Sequence, residues 1–365
     1  MNSPSHAPSA LIAMSGGVDS SVAAYLTLRQ GYFCRGVTMK LFRNEDIGED
    51  PYGTCCSYND TEDARKVCAR LGIEHETLSY RTAFRDEVIE RFIRSYERGE
   101  TPNPCIDCNR YVKFGSLLKY ALENGFDKLV TGHYARVVFD DETGLYKLKK
   151  ALDPAKDQSY VLYMITQEQL SHMLFPLGEM TKTQTRAVAA EQGFINAKKH
   201  DSQDICFVPD GDYVKFMENY TGKSYPPGDF LNMKGEVIGR HEGSVKYTPG
   251  QRRGLRLPMG ERVYVVSKSA AENTVTVGEN ADLFTSDMTA RDVNIISGAM
   301  PGGAFRCEAK PRYRAPASPC TVTPVGENTV RIVFDTPQRA LTPGQAVVLY
   351  DGDEVLGGGT IDRIS

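Results

Sequence analysis

Apolar and polar positions over the first two hundred residues alternate between two periods. Residues 11–14 form a short apolar run, the pattern of a strand covered on both faces, and 22–26 continue with helical composition. Residues 32–40 predict a second strand. Asp60 is placed to cap a helix over 61–71 that Gly72 closes. Residues 73–79 predict a third strand. Over 81–98, Val88, Ile89, Phe92, Ile93 and Tyr96 recur at helical spacing before Gly99. Pro102 and Pro104 argue for a rigid loop over 101–109, with a helix following over 113–124. Further on, 127–136 predict a strand running into a turn, 160–170 a helix and 181–194 another. Strand–helix alternation of this kind argues a parallel α/β sheet, whose ligands sit at the carboxyl ends of the strands.

The pattern changes near residue 208. Gly and Pro become frequent, and 208–275 read as β-hairpins and turns with Lys246, Arg252, Arg253 and Arg256 as a basic surface. From 276 short strands recur at a spacing that predicts a small antiparallel barrel. The expected division is a flexible leader over 1–10, an α/β domain over 11–207, a β-rich domain over 208–275 and the barrel over 276–365.

A chain of 365 residues that is 41% hydrophobic has room for several cores. A net charge of −4 excludes a globally basic nucleic-acid binder, so any RNA site must be a local patch. Arg306, Lys310, Arg312 and Arg314 around Tyr313 form one such stripe, with an exposed strand face as the plainer reading. Nine cysteines in this length do not make a disulfide scaffold. With a polar N-terminus and no apolar stretch of spanning length, the chain reads as a cytoplasmic enzyme with reduced thiols.

Chemistry concentrates first at Ala13, Met14, Ser15, Gly16, Gly17, Val18, Asp19 and Ser20. Strand, Gly-rich turn and helix make an anion cradle, because glycines admit close backbone approach and a helix start presents unbonded N–H groups. The Lys-Ser/Thr pair of a Walker loop is missing. Asp19 inside the loop makes sense beside phosphates when Mg²⁺ lies between them. Met39 reads either as a core residue or as a platform for an adenine ring, and Gly132 as a place where a nucleotide lies against backbone. His133 beside it reads as a phosphate contact or a loop residue.

A second concentration is Asn103-Pro104-Cys105-Ile106-Asp107-Cys108-Asn109, where Cys108 near a helix start has a route to thiolate character. Lys156-Asp157-Gln158 is a polar loop ahead of Tyr160. Cys206 comes after the polar run 198–204 and Ile205 and precedes Phe207, so it reads either as a buried thiol or as a site residue.

The ordered set SGGVDSSV, TPNPC-x-x-CN, TGHYAR, KDQSY, SQDICF, YTPGQRRGL and RYR spans nearly the whole chain and resembles the tRNA-specific 2-thiouridylases. These belong to the PP-loop ATP pyrophosphatase superfamily. The resemblance implies a PP-loop domain, a small central β-containing domain and a C-terminal β-barrel. It implies ATP and Mg²⁺ as cofactors, and thiolation of C2 of the wobble uridine in the tRNAs for Lys, Glu and Gln. A cysteine desulfurase or a sulfur-relay protein would supply sulfur. Cys108 matches the family's nucleophile and Cys206 its persulfide carrier. Ala13 to Ser20, Met39 and Gly132 match the nucleotide site. Asn103, Pro104 and Cys105 match contacts with the target base; Lys156, Asp157, Gln158, Arg312 and Tyr313 match tRNA contacts. Cys105 departs from the Asp that many members carry. It also completes a three-thiol set with Cys108 and Cys206 that is compatible with an iron–sulfur cluster, kept as the lesser reading.

Overall fold

The computed structural model describes residues 7–43, 58–200, 205–208, 210–258 and 262–364. Most of the expected leader, Cys55 and Cys56 in the polar 44–60 stretch, and 201–204 before Cys206 lie outside the described residues.

Five parallel strands form the first sheet in the order β3-β2-β1-β4-β7: β1 (Ser9–Ala13), β2 (Phe33–Lys40), β3 (Glu74–Ser79), β4 (Lys128–Val130) and β7 (Met173–Leu174). Both faces of β1 are covered. Ala10 and Ile12 pack with Val22, Ala64 and Ala189 on one side, and Leu11 packs with Val37, Phe114 and Leu129 on the other. Helix α1 (Val18–Arg29) follows β1, and α2 (Tyr58–Leu71) lies between β2 and β3. Asp60 therefore stands inside the first turn of α2 and does not cap it.

A helix α3 runs through Arg81–Phe84, Arg85–Ile89 and Glu90–Glu97, with its middle segment π-wound. Helix α4 runs through Pro104–Asp107, Cys108–Leu117 and Leu118–Glu123, and is also π-wound in the middle. The two prolines thus do not hold off a helix until 113. Asn103 Oδ1 accepts from the Cys105 N–H at 3.1 Å, and Pro104 takes the first helical position, where its missing N–H costs nothing.

The strand expected over 127–136 is two strands in two sheets. Chain direction breaks after Val130, and β5 (Ala135–Asp140) pairs with β6 (Leu145–Lys150). The helix expected over 160–170 is a 3₁₀ turn at Ser159–Leu162 and a separate α5 (Gln167–Ser171), begun by a Thr166/Gln169 capping box. Helix α6 is Lys182–Glu191.

In the β-rich middle, a helix α7 (Tyr213–Thr221) precedes the strands; Asp212 caps it and Gly222 ends it in the left-handed conformation. The four-stranded sheet after it runs β10-β11-β8-β9, from β8 (Gly228–Leu231), β9 (Val237–His241), β10 (Tyr264–Ser269) and β11 (Thr274–Gly278). Six antiparallel strands then close a barrel in the order β12-β15-β14-β13-β16-β17, the ring completed by β12–β17 pairing. They are β12 (Phe284–Ile295), β13 (Phe305–Lys310), β14 (Ser318–Gly326), β15 (Thr329–Arg339), β16 (Ala346–Asp351) and β17 (Glu354–Ile364). The β5–β6 hairpin adds to this barrel through Glu354 opposite Lys149. Tyr160, Tyr163, Ala346, Val348 and Tyr350 join the cluster under the parallel sheet, so barrel and sheet share one core.

Candidate functional site

The loop between β1 and α1 is held from below. Met14 N–H donates to Val37 O at 2.8 Å, and Thr38 Oγ1 donates to Met14 O at 2.9 Å. Gly16 has φ +74° and sits so close to α2 that a Cβ would lie 2.4 Å from Asp60 O. Gly17 caps α1 without a side-chain bond. Val18, Asp19 and Ser20 are first-turn residues whose N–H groups have no intrahelical acceptor. That uncapped start leaves helix donors for an anion to meet. Gly132, just beyond β4, lets that strand's end lie against it, since a Cβ there would be 2.8 Å from Ser20 N. Met39 is half-buried near the end of β2. Ala13 to Ser20, Met39 and Gly132 thus gather at the carboxyl ends of β1, β2 and β4.

Four residues that sequence reasoning passed over complete this corner. Lys182 Nζ bonds both Asp19 carboxylate oxygens, at 2.7 and 2.8 Å. Tyr134 OH donates to Asp19 Oδ1 at 2.9 Å. Asn196 Nδ2 and Lys199 Nζ both donate to Gly16 O, at 3.0 and 3.2 Å, and Lys199 also pairs with Asp60 and Asp63. A lysine at the first position of a helix was the available signal for Lys182, and Tyr134 lies within TGHYAR; Asn196 and Lys199 lacked any pattern. His133 is buried between Phe114 and Phe175 and bonds Thr131 through Nδ1. Burial pushes it well below the ordinary imidazole value, so it brings no cation to the loop.

The cysteine pair lies on α4. Cys105 is exposed in the first turn, and Cys108 is buried at the start of the π segment. Widened turns of this kind recur at functional sites. Cys108 packs in an apolar cluster with Phe84, Phe92, Val112 and Phe207, and Cys206 packs half-buried against the same cluster. Leu41 and Phe42, which follow β2, belong to it as well. Two thiols about a hundred positions apart in sequence thus meet one patch beside the strand ends. Asn109 Nδ2 anchors the helix to Val161 O at 3.1 Å. Burial pushes the Asp107 carboxyl up to about 6, against the pull of Arg91 and Arg110.

The segment leading into this helix is gripped by the barrel. Thr101 N–H donates to Pro343 O at 2.8 Å, and Gln345 Nε2 donates to Thr101 O at 2.6 Å. Arg291 Nη2 pairs with Glu100 at 3.0 Å.

Asp157 and Gln158 spend their side chains on the fold. Asp157 accepts from Ala151 N–H and from Ser159, and Gln158 Oε1 accepts from Tyr134 N–H at 3.0 Å. Lys156 is part-exposed on the same turn. Tyr313 OH donates to Asp157 O at 3.1 Å, bringing the barrel loop onto that turn. Arg312 Nη2 donates to Pro249 O, Ala340 O and Thr342 Oγ1, so it knits the middle sheet to the barrel. Arg306 pairs with Asp335, while Arg314 is exposed.

Family models match in three consecutive blocks, described as a tRNA methyl transferase HUP domain over 9–210, a tRNA methyl transferase PRC-barrel domain over 214–279 and an aminomethyltransferase β-barrel domain over 285–361. A tRNA-specific 2-thiouridylase of Clostridioides difficile is 47% identical over 97% of this chain and 98% of its own. This chain belongs to the tRNA-specific 2-thiouridylase family. Further 2-thiouridylases from Carboxydothermus hydrogenoformans and Symbiobacterium thermophilum are 49% and 50% identical, each over 97% of this chain and over 97% and 92% of their own. A 4-thiouridine synthetase–RNA complex aligns over 59% of this chain and 50% of its own at 17% identity with a TM-score of 0.35, too low to carry an argument.

Among the described residues no group of three His, Cys, Asp or Glu is arranged to hold a metal ion, so the iron–sulfur reading finds no ligand set there. No helix among them is long and apolar enough to cross a membrane.

Proposed function

We propose that this chain is an ATP-dependent tRNA-uridine 2-sulfurtransferase acting on C2 of a wobble uridine. The observation that carries this reading beyond family membership is the convergence of Cys108 and Cys206 on one cluster, beside an uncapped helix start suited to phosphates.

The chemistry needs both halves. A carbonyl oxygen at C2 is a poor leaving group. Its attack on the α-phosphorus of ATP expels pyrophosphate and turns that oxygen into part of AMP, which leaves readily. Val18, Asp19 and Ser20 N–H groups and the loop hydroxyls hold the phosphates, and Lys182 adds a cation at that point. Asp19 is the carboxylate that would hold Mg²⁺, which when bound neutralises phosphate charge. The base must leave its stack, which costs least in an anticodon loop. Asn103, Pro104 and Cys105 form the entry to α4, and Cys105 is exposed there for a flipped base to meet.

Cys206 takes a sulfur atom as a persulfide from a cysteine desulfurase or a relay protein. The terminal sulfur attacks C2 and AMP leaves. The Cys108 thiolate then attacks Cys206 Sγ, releasing 2-thiouridine and leaving a Cys108–Cys206 disulfide that an external thiol reduces. Attack by Cys108 on the persulfide before C2 is reached, with hydrosulfide as the nucleophile, ends at the same disulfide. Lys156, Tyr313 and Arg314 supply the surface for tRNA, in the cytoplasm where tRNA is charged.

The test is AMP release and 2-thiouridine formation on unmodified glutamate tRNA, with ATP, Mg²⁺ and a desulfurase with cysteine. Wild type should form product, and Cys108→Ser and Cys206→Ser should not. AMP release with no thiolated base in wild type would leave an adenylating enzyme of another substrate.

A further inference from the structure

Two barrel cysteines have no place in the chemistry above. Cys307 on β13 and Cys320 on β14 are directly opposite partners in the antiparallel register. Their Sγ atoms lie 3.7 Å apart. Cys320 is fully buried in the barrel core with Ala309, Val322 and Ile332. Cys307 packs at the edge of that cluster and keeps partial access to solvent. Opposed antiparallel residues hold their Cα atoms about 4.5–5.5 Å apart, inside the range of roughly 4.4–6.8 Å that disulfides bridge. Side-chain rotation is therefore enough to bring two touching sulfurs to bonding distance. Cys34 and Cys68, by contrast, are buried singly, and burial pushes their thiols up to about 11 and about 12.

We propose that Cys307 and Cys320 are a disulfide-forming site, oxidised by low-molecular-weight disulfides. The Cys307 thiolate attacks one sulfur of the small disulfide, expels a thiolate and becomes a mixed disulfide. Cys320, once deprotonated, attacks Cys307 Sγ, forms the cross-strand bond and expels the second small thiolate. Two protein thiols are oxidised, one small disulfide is reduced to two thiols, and the two protein protons end on those thiols. The Cys320 contact and burial push the Cys307 thiol up, so the first step quickens as pH rises.

The place of the pair gives the bond a consequence. Strands β13 and β14 lead into the 311–317 loop, which carries Arg312 and Tyr313. Those residues hold Pro249, Ala340 and Asp157. A covalent rung just below the loop ties together the strands that present it, and it removes chain entropy from the unfolded state.

The experiment uses the full chain with Cys108→Ser and Cys206→Ser, so that no disulfide of the thiolation cycle forms. It is incubated with 2-hydroxyethyl disulfide at alkaline pH, quenched with iodoacetamide and digested without reductant. The expected result is a peptide linking 307 to 320, lost when either is changed to Ser, and a melting midpoint for the oxidised chain above that of the reduced chain. Recovery of both residues alkylated, or of either as a lasting hydroxyethyl mixed disulfide, overturns the proposal.

Discussion

Lys182 Nζ grips both carboxylate oxygens of Asp19 at 2.7 and 2.8 Å, across more than 160 positions of sequence. The pair is part-buried, and Tyr134 OH shares the same carboxylate. A cation already aimed at the phosphate loop is worth more there than on the open surface. Lys182→Ala is expected to lower kcat/KM for ATP by about tenfold to a hundredfold, the scale of a charge-assisted bond. tRNA affinity should stay at the wild-type value, and Lys182→Arg should restore part of the loss. Steady-state kinetics in ATP with a parallel tRNA binding curve decide it; an unchanged ATP dependence in the Ala variant sinks the idea.

Gly132 tests the nucleotide corner without touching charge. A Cβ there would meet Ser20 N and the Asp19 carbonyl carbon, each at 2.8 Å, and both are backbone that cannot swing aside. Gly132→Ala is expected to cost on the order of 1–3 kcal/mol in stability and to abolish ATP binding while the chain remains folded. Calorimetric titration with a non-hydrolysable ATP analogue, beside a thermal melt, reads both.

The barrel's hold on the segment leading into the Cys108 helix gives a third expectation. Gly344 has φ +88°, and a Cβ would lie 2.7 Å from Glu100 Cβ and 2.8 Å from Thr101 N. Gly344→Ala should push 100–101 away from the barrel and misplace the helix that carries Cys108. Single-turnover thiolation should fall at least tenfold, with ATP affinity unchanged because the β1–α1 loop is held by other residues, Val37, Thr38, Asn196 and Lys199. Equal losses in both would mean general unfolding instead.

Asp107 sets a pH dependence. Burial raises its carboxyl from 3.8 to about 6, while Arg91 and Arg110 pull down and Glu87 and Asp292 push up. Below about pH 4 both folded and unfolded chains hold the proton. Between there and pH 6 only the folded chain keeps it, so this group's contribution to stability is lost as pH rises through the folded value. Asp107→Asn should therefore melt at the wild-type temperature near pH 4 and above it from pH 6 upward. A difference that is constant with pH contradicts this.

Salt dependence separates RNA contacts from structural cations. Each phosphate neutralised adds about 0.7–0.9 to the slope of log affinity against log salt. Lys156→Ala and Arg314→Ala should each flatten the slope by about that much with unchanged melting. Arg312→Ala should lower the melting temperature first, since it removes the donor to Pro249, Ala340 and Thr342.

Local chemistry was readable wherever neighbours in sequence are neighbours in space. The SGGVDSS loop needs only a strand, glycines and a helix start, and all three lie within a dozen residues. The barrel was readable from strand spacing alone. The break at 127–136 was not, because Val130 and Ala135 serve different sheets, and no alternation pattern records which partner a strand meets. Helix α4 was misread at its start because proline was taken as a breaker, while at the first helical position it is a favoured start. Asp157 and Arg312 looked like surface polar residues, yet Asp157 accepts from Ala151 and Ser159 close by in sequence, and Arg312 Nη2 donates to Pro249, Ala340 and Thr342, all distant in sequence.

The sequence by itself determined most of the elements and the strand–glycine–helix loop, which follow from short-range forces: backbone sterics, caps and hydrophobic periodicity. The order of its motifs carried the family resemblance, and the roles expected of the two thiols came from that resemblance. Only the tertiary structure decided that Cys206 packs on the cluster holding Cys108, that Lys182 faces Asp19, and that the barrel's 343–345 turn holds Thr101. Each of these joins segments between about a hundred and more than two hundred positions apart. Such pairings are set by which apolar faces bury against one another, and a linear pattern carries the existence of those faces but not their partners.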